Sequence, residues 1–228
     1  MRILWASSSQ RCSAMAESFS NAKGRIVVEK LIETIHENRS YLSEVDGKIG
    51  DGDHGINMDK GFQLTAKRLE ENMSMSDALK ALGRTLVMEI GGSMGPLYGQ
   101  YFKAMAKASA DHETIDAAVF ADMLEAAYEA IRNLGDAKPG DKTLVDTLDP
   151  ATSTLRETVN NGKSFAESLD AMVAAAEAGW KSTEDMVAKV GRSSRLGERS
   201  RGVLDAGATS CYLMLKSMAT SAKELATE

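Results

Sequence analysis

Three carboxylates, Asp46, Asp51 and Asp53, fall within eight consecutive residues of the chain. They sit in the run Asp46-Gly-Lys-Ile-Gly-Asp51-Gly-Asp53-His54-Gly55, where little else can shield one from the next. Carboxylates held side by side repel, and each disfavours ionisation of its neighbour. A hard divalent cation removes that conflict. Mg²⁺ suits such a set, because it takes a few carboxylates and completes its shell with water and phosphate oxygens. The same run also reads as a glycine-rich acidic turn with solvated aspartates. Two other readings fail. Gly50 to Gly55 matches G-x-G-x-x-G formally, but no strand precedes it and two of its variable positions are aspartates that would repel a pyrophosphate. A calcium loop opening at Asp51 would need Gly at position 56 and Glu at position 62, where the chain has Ile56 and Phe62.

Three further polar segments carry chemistry. Gly91-Gly92-Ser93-Met94-Gly95 exposes backbone N–H groups ahead of a helix, the arrangement of a phosphate cradle as well as of a plain turn. Gly135 through Asp141-Lys142-Thr143 is a second glycine-containing link. Gly191-Arg192 through Asp205-Ala206-Gly207 carries Arg192, Arg195, Arg199 and Arg201 among serines. An arginine there is suited to a nucleotide phosphate, although a solvated charge run is the commoner use. Acidic ligands, a glycine cradle and an arginine make a phosphoryl-transfer inventory that lacks a Walker A lysine and a protein-kinase loop. His36 and His112 have no comparable setting and read as surface residues.

Helices must position these links. From Lys23, apolar residues recur at Val27, Leu31 and Ile35 with Val28 and Ile32 beside them. Further helices are predicted over Asn57–Asn72, Ser76 to about Ile90 with Ser76 as N-cap, Pro96 to Ala110, Thr114–Leu134, Lys142–Asn160 with a bend near Pro150, Ser164 to about Val190, and Ala208–Leu225. That is eight helices with no strand between them. Short links favour antiparallel neighbours, so the links after the first, third, fifth and seventh helices fall at one end. These are the four segments just described, and loops on a rigid scaffold carry function.

Composition sets the frame. The chain has 228 residues, 43% hydrophobic, 26% charged and only 5% aromatic, with 13 Met. That balance favours a helical globular protein over disorder. A net charge of −6 offers no basic footprint for nucleic acid. No apolar run approaches the ~18 residues of a membrane span. Two cysteines, Cys12 and Cys211, form no disulfide framework, which makes a reducing cytoplasm the expected compartment. Cys12 reads as an incidental thiol. Residues 1–21 read as a disordered or loosely attached arm, with Met15 an alternative start, and residues 22–228 as one domain.

Taken together, the ordered motifs resemble the nucleotide-binding L subunit of dihydroxyacetone kinases. The matching pieces are Asp46 with Ile49 to Met58, Gly91 to Gly99, Pro139 to Thr143, Gly191 to Ser200 and Asp205 to Ser210. The resemblance implies an all-α fold, an eight-helix antiparallel up-and-down bundle closed into a barrel with the nucleotide at one end. It implies two Mg²⁺ ions held by Asp46, Asp51 and Asp53. His54, Gly55, Ile56 and Asn57, and Gly92, Ser93 and Met94, would meet the phosphates of ADP or ATP. Gly135 and Leu144 would line the adenine side, and Arg192, Asp205, Ala206 and Gly207 would complete the pocket. Ser93-Met94 departs from the commoner Ala-Ser order, which moves the hydroxyl by one position, and Leu144 stands where the family has methionine.

The resemblance further implies that substrate sits on a separate K-type kinase subunit, over which the nucleotide end docks, so no covalent nucleophile is expected here. A phosphotransferase-system protein is the phosphoryl donor in one family type, and exchangeable ATP in the other. The expected activity is phosphoryl transfer to dihydroxyacetone or a related short ketose or tetrulose such as erythrulose. The alternative is a nucleotide-sensing subunit that binds a transcription factor, and a distant third is a fatty-acid kinase-like acceptor. The sequence leaves the oligomeric state open, a homodimer included.

Overall fold

The computed structural model describes residues 17–227. Among them run nine α-helices: α1 (Arg25–Glu37), α2 (Arg39–Gly47), α3 (His54–Ala66), α4 (Met75–Glu89), α5 (Met94–Ser109), α6 (Ala117–Leu134), α7 (Val145–Asn160), α8 (Phe165–Ser182) and α9 (Ala206–Ala226). Each helix from α4 to α9 packs on the next, and α9 packs on α1, which also meets α3 and α4. The predicted apolar stripe of α1 is buried throughout, with Val28, Leu31 and Ile35 fully covered. Each such side chain contributes about 1.5–3 kcal/mol on leaving water. The Met, Ala and Leu residues at helical spacing are core, as Met105, Leu148, Met172, Met214 and Leu215 show. No helix among the described residues is long and apolar enough to cross a membrane.

Four expectations need correction. First, two strands exist. β1 (Ser18–Ser20) pairs antiparallel with β2 (Thr114–Asp116), Phe19 opposite Ile115, and both of those side chains are buried. Ser18–Ser20 is therefore ordered, whereas residues 1–16, with Cys12 and Met15, lie outside the described residues. The predicted fifth helix starts only at Ala117, where Asp116 caps it by accepting from the Val119 amide at 2.9 Å.

Second, the first predicted helix is two. Asn38 leaves helical geometry at φ −96° and ψ 7°, and its side-chain amide donates to the Thr34 carbonyl at 2.8 Å. Third, the cap of α4 is Ser74, whose hydroxyl accepts from the Asp77 amide. Ser76 is buried instead, between Asn21 and Ser109. Fourth, α8 stops at Ser182, eight residues before the predicted end, in a short 3₁₀ turn over Thr183–Asp185.

Pro150 lies inside α7. Proline cannot donate to the carbonyl four residues back, which is that of Asp146. Gly179 of α8 lies against that carbonyl, and a Cβ there would come within 2.1 Å of it. The missing hydrogen bond and the missing side chain thus let α7 and α8 approach closely just below the link 135–144.

The far end of the molecule is tied by Asn21. Its amide donates to the Ser76 hydroxyl and to the carbonyls of Ser109 and His112 at 2.8–3.0 Å, and its Oδ1 accepts from the Ser76 amide. One buried side chain thereby joins α4 to the end of α5. Removing it strands several polar groups, each costing about 1–3 kcal/mol. Asn21→Ala is expected to lower unfolding free energy by about 2–3 kcal/mol in urea denaturation, with nucleotide affinity unchanged, because the site lies at the opposite end.

Candidate nucleotide and metal site

Up-and-down packing brings the first turns of α3, α5, α7 and α9 to one end. His54, Met94, Val145 and Ala206, the first residues of those helices, all line one cavity of about 750 Å³. Four helix N-termini bring their positive dipole ends to the same space, which favours an anion. The four polar links predicted to converge do so: residues of 46–54, 91–94, 135–143 and 190–207 form the wall.

Asp46, Asp51 and Asp53 each place a carboxylate oxygen within 4.8 Å of the others. Asp46 lies at the end of α2, and the tight turn after it returns the Gly50 amide to its carbonyl at 2.6 Å. Gly50 is required there, because a Cβ would come within 2.5 Å of Asp46 Oδ1. Gly52 completes the turn at φ +74°, a left-handed conformation natural to glycine. Asp53 then stands immediately ahead of α3. Arg192 reaches across the cavity mouth and its guanidinium pairs with Asp51.

The glycine link divides its labour. A Cβ on Gly91 or Gly92 would meet nothing within 4 Å, whereas one on Gly95 would strike the Ile90 carbonyl at 2.0 Å. Gly95 is thus a packing requirement, and Gly91-Gly92 leaves open backbone beside the cavity. Ser93 is the N-cap of α5 and makes no side-chain capping bond.

Not every predicted contact residue faces the cavity. Asn57, Gly92, Ser93, Met94, Gly135, Leu144, Arg192, Asp205, Ala206 and Gly207 line it, with His54 and the three aspartates. Gly55 and Ile56 do not. Gly55 is buried where α3 crosses α2, and a Cβ would lie 2.0 Å from the Arg39 carbonyl. Ile56 is on the outer side of the same turn, 48% exposed. Residues three apart share a helix face while adjacent ones do not, so His54 and Asn57 turn inward together and Ile56 turns away.

Several wall residues escaped the sequence reading. Tyr98 and Leu97 follow from the first turns of α5. The Tyr98 hydroxyl lies 2.6 Å from Ser210 Oγ and donates to the Gly207 carbonyl at 3.2 Å. Ser210 Oγ in turn lies 2.9 Å from His54 Nε2. This chain ties α3, α5 and α9 together beneath the cavity. Its only sequence signal was the presence of both motifs, since nothing in the spacing pairs residue 54 with residue 210.

Lys142 is the other omission. It is buried at φ +63°, and its ammonium donates to the carbonyls of Thr183, Met186 and Val203. All three donors are spent on backbone, so Lys142 clamps the link 135–144 to the segment around Arg192. Burial lowers its pKa from the usual lysine value, against the pull of Asp205.

Burial also governs Asp205 and His54. It raises the Asp205 carboxyl to about 6, although that group caps α9 by accepting from the Ala208 amide at 2.7 Å. It lowers the His54 imidazole to about 4, against the opposing effect of Asp46. His54 is therefore neutral near pH 7.

These features have relatives. The DAK2 domain family matches residues 48–220. The ADP-binding subunit DhaL of PEP-dependent dihydroxyacetone kinase 1 from Listeria innocua is 40% identical over 188 residues, 82% of this chain and 89% of that protein. The chain belongs to this family. A second member, the ADP-binding subunit DhaL of the Escherichia coli PEP-dependent enzyme, is 37% identical over 186 residues, 81% of this chain and 89% of its own length. The native crystal structure of the C. freundii dihydroxyacetone kinase shares the DAK2-type fold with a TM-score of 0.67 at 25% identity. That match covers 96% of this chain and 38% of the longer enzyme.

The pKa values predict a pH dependence for the metal-free protein. An unfolded histidine takes up a proton near pH 6.5 that folded His54 refuses until about pH 4. Stability from this group is present above 6.5 and is lost as pH falls toward 4. Asp205 acts oppositely, since its folded form holds a proton up to about pH 6 and its contribution is lost as pH rises to that value. Comparing the parent with His54→Gln cancels the Asp205 effect. Chemical denaturation at pH 7 and pH 4.5 is expected to show the variant losing less stability on acidification than the parent.

Proposed function

We propose that this chain is the nucleotide- and Mg²⁺-binding subunit of a dihydroxyacetone kinase. In this reading it moves a phosphoryl group toward a substrate held on a separate K-type subunit. The observation that carries the reading is the carboxylate triad at the mouth of a cavity onto which four helix N-termini open. The donor chemistry fits Mg²⁺: three hard oxygen ligands within 4.8 Å, in a turn whose Gly50 leaves room for Asp46. Asp46, Asp51 and Asp53 would hold the metal, and the family resemblance implies two ions. A Mg²⁺ ion held there would supply positive charge to the oxygens of a transferring phosphoryl group.

The chain's own groups do the rest. Backbone amides at Gly92–Met94 and at the α3 and α9 starts orient the polyphosphate. Neutral His54 and Asn57 stand beside it. Gly135, Ile131, Leu134, Leu144 and Val145 offer an apolar wall suited to the base. Arg192 supplies a mobile-length cation at the mouth for phosphate charge. Catalysis in such a site is positioning and electrostatics.

The relatives with matching length are named as ADP-binding subunits of PEP-dependent enzymes. They support ADP as a resident cofactor, rephosphorylated by a phosphotransferase-system protein, ahead of freely exchanging ATP. A cytoplasmic location accords with this partnership. None of these names supports the transcription-factor alternative. Packing of α1 on both α9 and α4 supports closure of the bundle into a barrel.

Asp51→Asn and Asp53→Asn each remove a charged ligand. Either variant is expected to keep its far-ultraviolet circular dichroism while losing Mg²⁺-dependent ADP binding by at least about tenfold, about 1.4 kcal/mol, in titration calorimetry. Phosphoryl transfer with the K-type partner is expected to vanish. A substituted protein that binds Mg²⁺-ADP as tightly as the parent would overturn the metal assignment.

A further inference from the structure

The charge balance at the cavity mouth carries one step more, which rests on the metal reading above. Asp51 belongs to two arrangements at once. It is a member of the oxygen triad, and it is the partner of Arg192. Both roles use the same carboxylate, and a group that accepts a guanidinium has fewer lone pairs to offer a cation. The pair is exposed, Arg192 at 65% and Asp51 at 51%, so it is weak and exchangeable.

Arg192 differs from the other arginines of its segment. Arg201 is held locally by Glu198 and the Asp185 carbonyl. Arg192 instead bridges from the 191–200 segment to the α2–α3 turn. The segment's two ends are anchored. Just before it the Lys189 amide donates to the Asp141 carbonyl at 3.1 Å, and Gly191 then opens it at φ +74°. The Ser200 hydroxyl accepts from the Ala188 amide, and the Gly202 amide donates to the Glu184 carbonyl. Between those anchors, the reach of Arg192 decides whether the segment is tied across the mouth.

We infer that Arg192 is a metal-responsive tie. In the metal-free protein its guanidinium neutralises Asp51 and straps the 191–200 segment across the cavity mouth. A divalent cation displaces it from Asp51, and the freed guanidinium passes to the nucleotide phosphates. The cation thus unlocks the strap and the nucleotide relocks it. Nucleotide entry then follows metal loading, and the triad is charge-compensated at every stage.

Mn²⁺ is the probe, with the full chain stripped of nucleotide, Arg192→Gln as the variant and Arg195→Gln as the control for general loss of positive charge. Mn²⁺ binding is read by electron paramagnetic resonance, and backbone exchange over residues 191–202 by hydrogen–deuterium mass spectrometry. The expected result has opposite signs. Arg192→Gln binds Mn²⁺ alone about two- to fivefold more tightly than the parent, the range of an exposed ion pair, yet binds ADP in the presence of Mn²⁺ more weakly. Arg195→Gln shows neither change. In the parent, Mn²⁺ alone speeds exchange over 191–202 and ADP then slows it, whereas in Arg192→Gln Mn²⁺ alone changes nothing.

Equal Mn²⁺ affinity in parent and Arg192→Gln, an equal gain in Arg195→Gln, or exchange indifferent to Mn²⁺ in the parent would each overturn the tie. Those outcomes leave the metal centre standing as long as Asp51→Asn abolishes Mn²⁺-ADP binding. If no protein bound Mn²⁺ with or without ADP, the metal reading and the tie would fall together.

Discussion

Three negative charges held within 4.8 Å of one another are the condition around which this molecule is organised. Carboxylates at that spacing are tolerable only if something positive stands close to them. Here the compensation is layered. Arg192 meets Asp51 directly, and the first turn of α3 begins at the residue after Asp53. The starts of α5, α7 and α9 add partial positive charge from the other sides of the cavity. An acidic turn elsewhere on the surface would be solvated and inert. At the meeting point of four helix N-termini it lies where a cation and a polyanion would stabilise each other.

That meeting point exists because helices that alternate in direction place every second N-terminus at the same end. Close approach then depends on a few glycines. Gly55 lets α3 cross α2, Gly95 lets α5 turn back beside α4, and Gly179 lets α8 sit on the carbonyl that Pro150 leaves free. At each of these a Cβ would lie 2.0–2.1 Å from a backbone oxygen. The motif glycines are therefore of two kinds. Some hold the scaffold together, and others, Gly91 and Gly92 among them, leave backbone open at the site.

The loops need their own rigidity, since the cavity wall is mostly loop. Lys142 provides part of it by spending a buried ammonium on the carbonyls of Thr183, Met186 and Val203, which flank the segment that carries Arg192. The Tyr98–Ser210–His54 chain provides another part by joining α5, α9 and α3 under the floor. The cavity wall is thus braced by side chains that join one link or helix to another. The opposite end uses the same device, where Asn21 joins α4 to α5 and Phe19 stacks on Phe165 at 6.4 Å.

The sequence by itself determined the helical class, the core stripes, the four polar links and the end of the bundle at which they gather. Those properties rest on local periodicity and on chain direction, which are written residue by residue. The carboxylate triad was legible for the same reason, because its members are seven residues apart at most and share one turn. Tertiary structure alone decided the rest. It broke the first helix at Asn38, paired Ser18–Ser20 with Thr114–Asp116, moved Ser76 from cap to core, and turned Gly55 and Ile56 away from the cavity. It also brought Lys142 to Val203, His54 to Ser210 and Arg192 to Asp51. Each of these last three is a contact between residues far apart in the chain, set by how whole helices pack, and no local pattern encodes the distance between two helices.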